Sequence, residues 1–103
     1  MELYKIEGHA LFYEMPKELD HHVAQKLCGE LDMLIETHAI TELVLDFSKT
    51  EFMDSSGIGV IIGRSRTMQF RGGKVAAINM GRRVGMLFDS AGLGKIVEKR
   101  DKG

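Results

Sequence analysis

The sequence predicts a single α/β domain, in which a mixed sheet of about five strands is packed against helices in the order β-β-α-β-α-β-α-β. Short apolar runs rich in branched side chains alternate with longer segments whose apolar residues recur at helical spacing. The chain of 103 residues is long enough for one core. No linker or repeat interrupts it, so residues 1–103 are expected to form one domain.

The first third of the chain predicts two strands and a helix. Residues 3–7 alternate apolar and polar side chains, as does part of residues 9–15, and Gly8 between them supplies a tight turn. Pro16 ends the second strand because it lacks a backbone donor. Asp20 is the expected N-cap of a helix that packs on the sheet through an apolar stripe of Val23, Ala24, Leu27, Cys28, Leu31, Leu34, Ile35 and His38.

The central segment predicts a buried strand followed by a second helix. Residues 43–47 are mostly apolar and branched, as is typical of a buried strand. After a polar link, apolar residues at positions 58, 61, 62 and 68 follow helical spacing, with Ser65 as the one exception. We expect this helix to begin near Ser55 and to end at residues 71–73, where a glycine supplies the left-handed conformation.

The last third predicts a strand over residues 74–79, a short helix over residues 82–90 closed by Gly92, and an edge strand over residues 95–98. Because helices join the last three strands, these strands are expected to run parallel. The helix that starts near Ser55 then begins beyond the carboxyl end of the central strand. Open α/β sheets place their binding sites at this edge. In the short helix we expect three residues to face inward: Val84, Leu87 and Phe88.

The composition is that of an ordinary soluble globular domain, with 44% hydrophobic and 28% charged residues. No apolar run approaches the roughly 20 residues that span a membrane, and the N-terminus lacks a secretory signal pattern. Cys28 is the only cysteine, which excludes an internal disulfide and a cysteine-rich metal site. We therefore expect a cytoplasmic protein without a membrane partner.

The charges are distributed unevenly along the chain. Residues 1–62 hold 12 acidic and 4 basic side chains, whereas residues 63–103 hold 3 acidic and 10 basic ones. A basic half can indicate nucleic-acid binding. Both halves are expected to contribute strands to one sheet, however, so the charges would interleave in space. The basic residues also lack the interspersed aromatics of single-strand binders, and we expect no nucleic-acid partner.

Three N-cap residue types follow one another at the start of the second helix. The short side chains of Asp54, Ser55 and Ser56 can each accept a hydrogen bond from a free amide of the first turn. Two hydroxyls therefore lie at or beside the positive end of a helix, where a phosphate is best tolerated. Two interpretations of the serines stay open. They either cap the helix, which contributes about 1 kcal/mol, or they offer a modification site.

Three glycines follow within the same helix, although each costs about 1 kcal/mol relative to alanine. Such a cost indicates close approach of the backbone to the sheet or to a partner. Gly57 and Gly59, in the first turns, are candidates for partner contact, whereas Gly63 is expected to pack internally.

Two further polar groups lie at helix starts. Residues 20–22, Asp-His-His, are expected to be a cap and two solvated histidines, since adjacent ligands rarely share one metal ion. Arg82 and Arg83 open the last helix at the end that disfavours cations. They are either solvated or in contact with an anion or a partner.

The sequence FMDSSGIGVIIGR at residues 52–64 resembles the phosphorylation-site segment of bacterial anti-sigma-factor antagonists, which belong to the STAS domain family. Residues 18–22, ELDHH, and residues 87–93, LFDSAGL, agree with the same family. The two histidines resemble the sporulation branch rather than the general-stress branch. Two departures are Lys17, where the family often has glycine, and a chain that stops soon after the last strand, where relatives tend to carry one more helix.

The resemblance implies a switch that is not itself an enzyme and needs no cofactor or metal of its own. In this family the unphosphorylated protein binds an anti-sigma factor that is also an ATP-dependent serine kinase, and the captured sigma factor is released. The kinase then phosphorylates the first serine after the aspartate, here Ser55, and a PP2C-type phosphatase resets the system. By the same resemblance and position, the expected partner surface includes Asp20, Asp54, Ser56, Gly57, Ile58 and Gly59.

Two other functions stay open. A nucleotide-binding domain could hold a phosphate at the helix N-terminus, although no G-x-x-x-x-G-K-[ST] loop is present. A STAS module of a larger stress-signalling or transport assembly would instead associate with many copies of a partner. A monomer is the simplest expectation for the free chain.

Overall fold

The computed structural model describes residues 3–100, which form a five-stranded sheet, a separate pair of two-residue strands and three α-helices. In chain order the elements are β1 (Tyr4–Glu7), β2 (Ala10–Glu14), β3 (Glu18–Leu19), α1 (His21–Thr37), β4 (Glu42–Asp46), β5 (Phe52–Met53), α2 (Ser55–Phe70), β6 (Lys74–Ile78), α3 (Arg82–Ser90), a 3₁₀ turn (Leu93–Lys95) and β7 (Glu98–Arg100).

The large sheet has the strand order β1-β2-β4-β6-β7. β1 and β2 are antiparallel, and Gly8, with a φ of 63°, lies in the turn between them. β2, β4, β6 and β7 run parallel to one another, as expected for strands joined by helices. Strands from the acidic and basic halves are therefore neighbours in one sheet. The predicted fold class, an α/β domain with a mixed five-stranded sheet, is confirmed.

One face of the sheet packs against all three helices. Alternate strand residues such as Leu43 and Leu45 join a core that also contains Leu31 of α1, Ile61 of α2 and Phe88 of α3. These five residues are all 0% exposed. Burying a large apolar side chain contributes about 1.5–3 kcal/mol, so this shared core holds the helices on the sheet.

The predicted helical stripes are only partly correct. His38 is exposed, because α1 ends at Thr37 and His38 is its C-cap. On α2 the buried set includes Val60 and Arg64, whereas Ile58 and Ile62 are half-buried. The physical reason is that α2 packs against α1 as well as against β6, so more than one of its faces is covered.

The opposite face of the sheet carries a smaller cluster of Val44, Ala76 and Ile78, with Phe12 packed beside it. On the edge strand of this face, Nη2 of Arg100 donates to Glu42 Oε2 at 2.8 Å and to Glu98 Oε1 at 3.0 Å. The hydrogen bonds to Glu98 and Glu42 raise the pKa of Arg100.

The last strand lies later than predicted. The edge strand expected over residues 95–98 is wrong in position, because residues 93–95 form a 3₁₀ turn and β7 begins at Glu98. Gly92, with a φ of 72°, turns the chain after α3 and brings Leu93 into the core. The amide of Val97 then donates to the carbonyl of Leu93 at 2.9 Å. Residues 93–97 therefore form a local turn, and strand pairing begins only at Glu98.

A buried arginine joins the first two helices. Nε of Arg64 lies 3.0 Å from Oδ1 of Asp32, and the Arg64 side chain is 10% exposed whereas that of Asp32 is 49% exposed. Within residues 3–100, neither Nε nor Nη1 of Arg64 has a hydrogen-bond partner of good geometry. The contact is therefore an ion pair rather than a hydrogen bond. The carboxylate of Asp32 compensates the charge of a guanidinium that has lost most of its water.

Removal of Asp32 and removal of Arg64 should have unequal effects on the stability of the fold. Asp32→Ala leaves the buried cation uncompensated and is expected to lower the free energy of unfolding by about 1–2 kcal/mol, less than for a fully buried pair because Asp32 is half-exposed. Arg64→Met keeps the packing volume without the charge and should change stability by less than about 1 kcal/mol. Urea unfolding followed by circular dichroism measures both, and equal losses would contradict the assignment.

Candidate functional site

Two short strands bring two distant parts of the chain together. β3 and β5 pair in parallel, with Leu19 opposite Met53, and the amide of Asp54 donates to the carbonyl of Leu19 at 3.3 Å. The residues that follow these strands, Asp20 and Asp54, begin α1 and α2. The two helix N-termini therefore start side by side at one edge of the domain.

Sequence reasoning missed both short strands, since a strand of two residues shows no periodicity. One signal was present: an apolar residue directly precedes each capping aspartate, and both Leu19 and Met53 are buried. A hydrophobic residue just before an N-cap commonly fixes the direction in which the chain enters the helix.

Asp54 is the N-cap of α2. Its Oδ1 accepts from the amide of Ser56 at 2.8 Å and from that of Gly57 at 3.4 Å. Ser55 and Ser56 are thus the first two residues within the helix, and the interpretation of these serines as caps is wrong. The expectation that two hydroxyls lie at the positive end of the helix is confirmed.

Asp20 caps α1 in the same way, as the sequence predicts. Its Oδ1 accepts from the amides of His22 at 2.9 Å and Val23 at 3.4 Å. The rings of His21 and His22 lie 4.1 Å apart, and both residues are exposed. Among residues 3–100 no group of three His, Cys, Asp or Glu side chains is placed to hold a metal ion.

The first turns of α2 present a graded surface. Ser55 and Gly59 are exposed, Ser56 and Ile58 are half-buried, and Gly57 is buried. A hydroxyl, a half-buried apolar side chain and a bare stretch of backbone are therefore open to a partner beside the cap of α1.

None of the helices in the described part of the chain is long and apolar enough to cross a membrane.

Gly57 has a packing role beneath this surface. A Cβ at this position would collide with Cγ of Met53 and would lie 2.9 Å from Cγ and 3.0 Å from the carbonyl oxygen of Leu19. The start of α2 therefore approaches β3 and β5 too closely for any side chain. Gly57 supports the surface from below. Because it is buried, it presents no exposed group that a partner could contact.

The other two helical glycines differ from Gly57. A Cβ at Gly59 or at Gly63 would have no heavy-atom neighbour within 4 Å. The expectation that Gly63 packs internally is therefore wrong, whereas Gly59 is exposed and leaves room for a partner to approach the helix backbone.

Comparisons with known proteins agree with this geometry. Residues 1–102 match the STAS domain family. The anti-sigma F factor antagonist of Paenibacillus polymyxa is 36% identical over 87 residues, which cover 84% of this chain and 74% of that protein. The unphosphorylated anti-sigma factor antagonist SpoIIAA superposes with a TM-score of 0.83 at 26% identity, covering 95% of this chain and 86% of that one. The phosphorylated form of the Bacillus protein SpoIIAA gives 0.75 at 25% identity, covering 95% and 89%.

Proposed function

The chain belongs to the STAS domain family, and we propose that it is an anti-sigma factor antagonist, whose unphosphorylated form binds an anti-sigma factor and so releases a sigma factor. The curated relative named above supports this assignment. The structure supports it with a surface at the start of α2 that offers exposed groups and lies next to the N-terminus of α1.

Ser55 is the proposed phosphorylation site, and one observation carries this choice. Ser55 is exposed in the first turn of α2, while the capping role is filled by Asp54. The Ser55 hydroxyl is therefore not required to stabilise the helix. A phosphate on its Oγ would add nearly two negative charges at the positive helix end, where the fold tolerates them.

The proposed partners are an anti-sigma factor with serine kinase activity and a PP2C-type phosphatase, both acting in the cytoplasm. In the first step Oγ of Ser55 attacks the γ-phosphorus of ATP held by the kinase, ADP leaves, and the hydroxyl proton passes to a base of the kinase. In the second step water attacks the phosphorus of the ester, inorganic phosphate is released, and Oγ of Ser55 leaves and regains its proton. The chain is the substrate of both steps and the catalyst of neither.

Docking, rather than folding, is the property that the phosphate should change. The proposed contact surface consists of Asp20, Ser55, Ser56, Ile58 and Gly59, with the Asp54 cap beside it and Gly57 beneath. A dianion in the middle of this surface would have to lose its water when a partner covers it, and it would repel carboxylates of the partner.

The acceptor assignment is tested by incubating the chain with ATP and the kinase-type anti-sigma factor of its own organism, followed by intact-mass and peptide mapping. We expect one phosphate on Ser55, none on Ser55→Ala, and a normal yield on Ser56→Ala, the matched control. Ser55→Ala should still bind the partner. Normal phosphorylation of Ser55→Ala would refute the acceptor, and an unmodified wild type would refute the switch.

A further inference from the structure

A groove with a volume of about 350 Å³ runs between β5 and α3. Phe52 and Met86 line it, with 46% and 61% of their surfaces exposed, and Met53, Val84 and Leu87 complete its apolar lining. Phe52 lies three residues before Ser55, and three residues of extended chain span at most about 11 Å. The groove therefore adjoins the proposed docking surface.

Two large apolar side chains, Phe52 and Met86, are exposed at this one groove. Scattered apolar residues on a surface are ordinary, but two large ones at a single concave site are typical of a place where a partner inserts a side chain. Phe70, by contrast, is 94% exposed at the opposite end of α2 and does not line this groove.

The charges beside the groove indicate what kind of partner fits. Arg83 lines the groove and Arg82 precedes it; both are exposed, and neither forms an ion pair within residues 3–100. Glu51, the acidic residue of the lining, has Lys17 Nζ 3.8 Å from its Oε1. The uncompensated charge is therefore positive, and it lies at a helix N-terminus that adds to it.

We propose that the β5–α3 groove is a second part of the anti-sigma factor docking surface and takes an apolar side chain of the partner that is flanked by carboxylates. This inference rests on the proposed function. It extends the contact from the start of α2 across Phe52 to α3, where Phe52 and Met86 act as apolar anchors and Arg83 pairs with the carboxylates.

The test measures the affinity of the unphosphorylated chain for the kinase-type anti-sigma factor of its own organism by titration calorimetry. Phe52→Ala and Met86→Gln are each expected to weaken binding at least about tenfold, as truncation of an interface anchor does. Phe70→Ala, the matched control, should stay within about twofold. Arg83→Glu should slow association and reduce its salt dependence. Thermal melts show whether each variant is folded. If Phe52→Ala loses stability, Met86→Gln still tests the groove, because Met86 is exposed.

The outcomes separate this inference from the function on which it rests. Wild-type binding that Phe52→Ala and Met86→Gln leave unchanged would overturn the groove assignment and leave the antagonist function standing. No binding by the wild type would overturn both. Self-association in sedimentation experiments that Met86→Gln abolishes would assign the groove to a second copy of the chain and overturn the inference.

Discussion

Phosphorylation of Ser55 is expected to weaken binding to the anti-sigma factor several hundred-fold, which corresponds to a loss of ~3–4 kcal/mol. The loss arises because an exposed hydroxyl at the start of α2 is replaced by a dianion that must be desolvated in the interface. Titration of the enzymatically phosphorylated and unphosphorylated chains against the same anti-sigma factor measures it directly.

The fold should not weaken at the same time. Since the phosphate lies at the positive end of α2, the phosphorylated chain is expected to melt at or above the temperature of the unphosphorylated one. Ser55→Asp adds a single charge and should weaken binding less than phosphate does. Equal affinity of the two forms, or unfolding caused by the phosphate, would contradict a switch that acts through docking.

Gly57→Ala is expected to lower the free energy of unfolding by about 1–3 kcal/mol, although alanine is the better helix former. The added methyl group would collide with Cγ of Met53 and press on the backbone oxygen of Leu19, which cannot move without disturbing the β3–β5 pair. For a domain of this size the midpoint of thermal unfolding should fall by about 4–8 °C per kcal/mol. Differential scanning calorimetry measures the shift.

Gly59→Ala is the matched control, two residues further along the same helix. Nothing lies within 4 Å of a Cβ at Gly59, so the usual helix preference for alanine should raise the free energy of unfolding by up to about 1 kcal/mol. Similar changes for the two variants would mean that α2 does not approach β3 and β5 as closely as described.

Much of the fold was predictable because the signals are local. The N-cap at Asp20, the turn at Gly8 and the left-handed residue at Gly72 each depend on hydrogen bonds and backbone angles of adjacent residues. The periodicity of apolar side chains likewise located α3 over residues 82–90, because burial on one face repeats along a helix.

The site was predictable in part, by a resemblance of local sequence. The order Asp54-Ser55-Ser56 indicated a helix start with two hydroxyls, which the structure confirms. That Asp54 alone fills the cap, and that Ser55 is more exposed than Ser56, follows from the backbone geometry of this turn rather than from residue types.

By itself the sequence determined the three helices, the first four strands of the large sheet, the cap at Asp20, and the family to which the chain belongs. Only the tertiary structure decided that Leu19 pairs with Met53, that Gly57 supports the surface instead of forming it, and that Arg64 is buried against α1. The physical reason is distance along the chain. A cap or a turn is made by neighbouring residues, whereas close approach and burial depend on segments that meet only after the sheet and helices have packed.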